Sequence, residues 1–129
     1  MAILEEITYL QKAKVQYKAA LCLFEKGYIN DAISRLYYSF RSLCVYIVGK
    51  PEKGKWKHYG LMKKLIMTID SIDVDFFTRE ERELIKNFPN IREDADYELL
   101  EIPEEKFKIY LRVVEKLFTY VNKMEIKND

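Results

Sequence analysis

Glycine and proline are scarce in this chain of 129 residues, which has four of the first and three of the second. A sandwich or barrel of many short strands needs a turn former every few residues, so that architecture is excluded. Histidine occurs once and cysteine twice. A lone histidine with no thiolate or carboxylate cluster at ligand spacing makes no metal site, and none is expected. Cys22 and Cys44 are not spaced as a metal pair and lie among apolar neighbours, so both are expected to be buried thiols. No hydrophobic run approaches the roughly 18 residues that cross a bilayer, and residues 1–6 do not form a signal peptide, so a cytoplasmic protein without membrane contact is expected. Net charge is missing too: 22 basic residues against 21 acidic leave +1. A strongly basic nucleic-acid module would not look like this, although a local basic patch stays open. There is no glycine-rich phosphate loop and no cofactor is expected.

What the chain does have is hydrophobic residues, at 49%. That excludes disorder, and 129 residues suffice for one domain with its own core, here residues 1–129. Apolar positions Ile7, Leu10, Ala13, Tyr17, Ala20, Leu21 and Phe24 recur at helical steps and predict a first helix over residues 3–26, stopped by Gly27. Asn30 is the expected N-cap of a second helix reaching about residue 48. Residues 49–57 form a basic loop, and a third helix is expected over 58–69. Thr78 with Glu81 three residues on reads as a capping box opening a fourth helix, which Pro89 should kink or divide. Helical pattern then resumes to about residue 100. Pro103 with Glu104 and Glu105 marks the first turn of a last helix ending near Met124, with the final residues 127–129 frayed. The predicted fold is all-α, an up-and-down bundle of four long helices and one shorter one.

On the second helix, Ile33, Leu36, Tyr37, Phe40, Leu43, Cys44 and Ile47 share a core face. Arg35, Tyr38, Ser39, Ser42 and Tyr46 fall in a stripe rich in hydroxyls and rings, and Arg41 stands apart from both. Two readings of the stripe remain open. It could be a helix contact or dimer seam, where Tyr and Arg bury area while keeping a polar tip satisfied. It could equally be a pocket wall, with Arg35 binding phosphate or carboxylate and the tyrosines stacking on a base. On the fourth helix Arg92 and Asp96 are one turn apart and share a face, either as a surface ion pair or as part of the same site, with Tyr97 on an adjacent face. His58 follows the basic loop and is the one weak catalytic candidate, although a capping or partner-contact role serves as well.

Three stretches together carry a resemblance: Ala32-Ile33-Ser34-Arg35-Leu36-Tyr37-Tyr38-Ser39, then His58-Tyr59-Gly60, then Arg92-Glu93-Asp94-Ala95-Asp96-Tyr97. In this order, and over nearly the whole chain, they resemble a HEPN domain (higher eukaryotes and prokaryotes nucleotide-binding), in particular the stand-alone prokaryotic proteins of this length. The resemblance implies a helical bundle that pairs as a homodimer, with polar residues of the middle helices near the two-fold axis. It also implies one of three roles: a metal-independent RNase, the toxin of a toxin–antitoxin pair with a nucleotidyltransferase partner, or a nucleotide- or RNA-binding module.

The chain departs from the nuclease pattern of an arginine followed four to six residues later by a histidine. Arg92 is followed by Asp96 and Tyr97, Arg35 by Arg41 and Ser42, and no arginine precedes His58 by five to seven positions. Without that imidazole the acid–base step has no obvious agent. The expectation is therefore a binding module using Arg35, Tyr38, Ser42, Arg92, Asp96 and Tyr97. A divergent RNase and a purely structural dimerisation domain are the alternatives.

Overall fold

The computed structural model describes the backbone of residues 7–97 and 99–128, and side chains up to Glu125. It contains α1 (Tyr9–Glu25), α2 (Ile29–Val48), α3 (His58–Ile72), α4 (Arg79–Tyr97) and α5 (Glu104–Asn128), with no strand among the described residues. The all-α bundle is as expected, with α3 the shortest helix. None of these helices is long and apolar enough to cross a membrane.

Helix ends follow local chemistry. α1 begins later than its apolar pattern suggested, because Thr8 forms a capping box. Its hydroxyl accepts from the Gln11 amide at 3.0 Å, and the Gln11 side chain accepts from the Thr8 amide at 2.8 Å. The expected helical residues 3–6 lie outside the described residues. At its other end Gly27 takes a positive φ of 86°, the Gly27 amide donates to the Phe24 carbonyl and the Tyr28 amide to that of Leu23. This Schellman turn leads straight into α2, so the helix starts at Ile29 and Asn30 is not its cap. The Thr78–Glu81 box opens α4 as predicted. Pro89 does not divide α4, which is helical on both sides of it. α5 continues to Asn128, beyond the predicted end.

α2 is the central element and touches each of the other four helices, α1 most extensively. The fully buried Ala13 and Ala20 leave room for α1 to lie close against it. That contact takes two members of the expected polar stripe: Ser39 donates to the Ala13 carbonyl at 2.7 Å and Ser42 to the Gln16 side chain at 2.8 Å. On its opposite side the rings of Tyr37 and Phe40 meet Phe88 of α4, which stacks in turn on Tyr110 of α5 at 4.4 Å. Of the two cysteines Cys44 is buried as expected, but Cys22 is exposed, because α1 packs through its alanine face and turns Cys22 outward.

Asn30, released from capping, clamps the α4–α5 connection. Its Oδ1 accepts from the Ile102 amide at 2.8 Å, and its Nδ2 donates to the carbonyls of Leu100 at 2.9 Å and Ala95 at 3.4 Å. Replacing Asn30 by Ala should strand these half-buried groups and lower stability by about 2 kcal/mol, measured as a shift in the urea midpoint without a change in slope.

Candidate functional site

Three helices deliver side chains to one point. Tyr37 and Arg41 lie one turn apart on α2, His58 is the first residue of α3, and Arg92 and Asp96 lie one turn apart on α4. The loop before α3 is fastened so that His58 arrives there. Gly49 ends α2 at φ 84°, the Trp56 indole donates to the Gly49 carbonyl at 2.8 Å, and Arg41 Nη2 donates to the Trp56 carbonyl at 2.8 Å. The next residue, Tyr59, hydrogen-bonds through its hydroxyl to Asn90 Oδ1 and ties the start of α3 to α4.

Tyr37 is fully buried, and its hydroxyl forms a hydrogen bond with His58 Nδ1. The Arg92 guanidinium sits 5.6 Å from the centre of the Tyr37 ring and 5.9 Å from that of Tyr38, within cation–π range. It also pairs with Asp96 at 3.3 Å. The Arg92 side chain is only 11% exposed, so this is not the solvated surface pair that spacing alone allows. Two guanidinium nitrogens, Arg41 Nη1 and Arg92 Nε, are buried without a hydrogen-bond partner among the described residues.

The electrostatics follow from this crowding. Burial pushes the Tyr37 hydroxyl up to about 12, against the opposing pull of Arg41 and Arg92, so it stays protonated at neutral pH. Burial first, then the charges of Arg41 and Arg92, hold His58 below its ordinary value, with Glu93 opposing. His58 is therefore neutral at pH 7. A protonated phenol facing a neutral imidazole donates to Nδ1, which leaves the imidazole proton on Nε2. Arg92 remains charged: burial works against this, but Tyr38 and Asp96 outweigh it. Arg41 and Arg92 face a neutral ring with Asp96 paired to Arg92 and Glu93 near His58, so what suits the site to an anion is the two unspent guanidinium N–H groups and not an excess of charge.

Of the residues singled out from sequence, His58, Tyr38, Arg92 and Asp96 come together. Arg35 does not join them; it is exposed and makes no hydrogen bond or ion pair among the described residues. Ser42 is buried against α1 and its hydroxyl is spent on Gln16. Tyr97, at the end of α4, is 72% exposed and outside the cluster. The residues sequence reasoning missed are Tyr37, assigned wholly to the core, and Arg41, set apart from the stripe. One signal could have found them: a buried tyrosine needs a partner for its hydroxyl, and Arg41 lies one turn further along. No group of three or more potential metal ligands occurs among the described residues.

No family model matches the chain, and no solved structure matches it. A protein of Methanocaldococcus jannaschii does, one named "Putative toxin MJ0142". The similarity is to a protein named as a toxin. The two are 28% identical over 131 aligned positions, covering 93% of this chain and 86% of the archaeal one. The match extends through all five helices and is not confined to one motif.

Because His58 is the only histidine, its ring nitrogens can be followed by NMR without assignment ambiguity. At pH 7 the ring should be neutral with Nε2 protonated, and its titration midpoint should fall below 6.5. Tyr37→Phe should shift the ring toward a mixture of tautomers. A midpoint at or above 6.5 would contradict this electrostatic account. Since the unfolded chain binds this proton more readily than the folded one, His58 should also reduce stability as pH falls through about 6.5, and less so in His58→Gln.

Proposed function

We propose that this protein is a HEPN-type, toxin-like module. In this reading residues 1–129 form one domain that works as a homodimer in a toxin–antitoxin pair with a nucleotidyltransferase partner. Its site binds the phosphate of a nucleotide or RNA through Arg41, His58 and Arg92. Tyr38 and Tyr37 flank the arginine, and Asp96 orients it. The supporting observation is the convergence of two guanidinium groups, each with a buried and unspent N–H, on a neutral histidine. In a seam built only for packing those N–H groups would be a loss without return, since an unsatisfied buried donor costs about 1–3 kcal/mol. A phosphate oxygen satisfies both and gains two charge-assisted bonds. The name carried by the archaeal relative agrees with the toxin side of this reading.

One observation favours a second reading, metal-independent RNA cleavage. The imidazole absent from the positions after Arg92 approaches that arginine from α3 instead. With Nδ1 held by Tyr37, the Nε2–H would protonate a leaving 5′ oxygen after the neighbouring 2′ oxygen attacks phosphorus, the 2′ proton passing to water. The two arginines would stabilise the charge that gathers on the phosphoryl oxygens.

The backbone carbonyl of Trp56, the one tryptophan, accepts from Arg41, so its indole provides a local fluorescence reporter. Titration with nucleotides and single-stranded RNA should give a saturable change. Arg41→Ala or Arg92→Ala should weaken it about tenfold or more, while Arg35→Ala leaves it nearly unchanged. Affinity should rise as pH drops below 6.5, because a bound phosphate favours protonated His58. Equal binding by wild type and Arg92→Ala would remove the phosphate-site reading. RNA left intact in EDTA would remove the nuclease reading alone.

A further inference from the structure

A second feature lies on the other side of α4, away from His58. α4 and α5 touch over a short stretch only, leaving an open cleft of about 690 Å³. Arg79, Leu84, Asn87 and Asn90 of α4 line one side and Lys106 and Tyr110 of α5 the other.

Tyr110 is the unusual member. Its ring is fully buried and stacks on Phe88, a role phenylalanine would fill equally well. Its hydroxyl has no hydrogen-bond partner among the described residues. Burial pushes it up to about 12, partly opposed by the Asn87 amide, which approaches the phenol oxygen as a donor at longer than hydrogen-bond range and leaves the phenol proton unspent. The other polar groups of the cleft sort into spent and unspent. Asn90 donates to Asn87 Oδ1 at 2.9 Å and accepts from Tyr59, so both of its ends are committed. Lys86 pairs with Glu83 at 3.7 Å. Tyr110 O–H, Lys106 and Arg79 have neither a hydrogen-bond acceptor nor an ion pair among the described residues, and Asn87 Nδ2 has only the Tyr110 oxygen in reach. All four are donors, and two are cations. Glu80, also on the lining and without an ion pair, disfavours a polyanion.

We propose that the α4–α5 cleft is a second binding site, for a small molecule bearing one oxyanion group, either a phosphate ester or a carboxylate. Tyr110 and Asn87 donate to the group at the floor of the cleft, and Lys106 and Arg79 neutralise it from the sides. The site is independent of the Arg41–His58–Arg92 cluster, since it uses the opposite side of α4 and none of the same side chains.

The test is an NMR titration of the full chain with inorganic phosphate and with acetate, each against chloride at matched ionic strength. Saturable shifts of the Asn87 side-chain amide and of Lys106 are expected from at least one of the two. The responding anion then identifies the group as phosphate or carboxylate. Tyr110→Phe, which keeps the ring and its stacking, should weaken that response about fivefold or more, as should Lys106→Gln. Arg92→Ala should leave it intact. No saturable shift with either anion, an unchanged affinity in Tyr110→Phe, or a loss of the response in Arg92→Ala would each overturn the proposal.

Discussion

Burial of α2 on most of its circumference is the constraint from which the rest of the structure follows. A helix at the edge of a bundle can turn its polar groups to water. A helix touched by four others cannot do so on its covered faces, and each polar side chain there must find a partner. Ser39 and Ser42 find theirs on α1, Asn30 on the α4–α5 connection, Tyr37 on His58, and Arg41 on the Trp56 carbonyl. These bonds contribute modestly when made and are expensive to break, so they act chiefly as fixings for elements that would otherwise pack by hydrophobic contact alone. The position of His58 is one result: it is held where the packing of α2 requires a partner for a buried phenol.

The charge distribution at that point does not serve stability. Arg41 and Arg92 both depress His58, and burial depresses it further. A cluster selected for folding would replace one arginine with an apolar residue of similar volume, a change that is often neutral or stabilising at buried ionic sites. Here Asp96 and two tyrosine rings answer the Arg92 guanidinium, whereas the Trp56 carbonyl is the acceptor for Arg41.

Much of the fold was legible because it rests on local rules. The Thr78–Glu81 box, Gly27 after α1 and Pro103 before α5 each act within a few residues, and period-3.6 patterning located every helix. Asn30 misled because a good capping residue is also a good side-chain clamp, and the turn at Gly27 starts α2 before Asn30 is reached. The stripe on α2 divides between its two readings for a related reason, with Ser39 and Ser42 making a helix contact. A helical wheel divides a helix into a wet side and a dry side, whereas α2 has neighbours nearly all round. Ser39 and Ser42 therefore go under α1, Tyr38 goes to Arg92, Tyr46 reaches Glu125 of α5 at the surface, and Arg35 is fully turned to solvent. Arg41, which the wheel left between faces, sits between α2 and α3, where such a position is needed.

The sequence spacing that marks a nuclease is a one-dimensional stand-in for a three-dimensional contact. An arginine and a histidine one or two turns apart on one helix are certain to be close, which is why the spacing is informative when present. Its absence carries less weight, because a neighbouring helix can bring the imidazole to the same place. Tyr37 and Asn90 hold the start of α3 against α2 and α4 through His58 and Tyr59, so His58 meets Arg92 without sharing a helix with it. What separates binding from catalysis at such a site is then the proton on the imidazole and not the spacing. With Nδ1 engaged by a phenol that stays protonated, the ring has one free nitrogen, and that nitrogen is a donor. Such a ring can hold a phosphate oxygen or protonate a leaving group. It can act as a base only if Tyr37 gives up its hold or its proton.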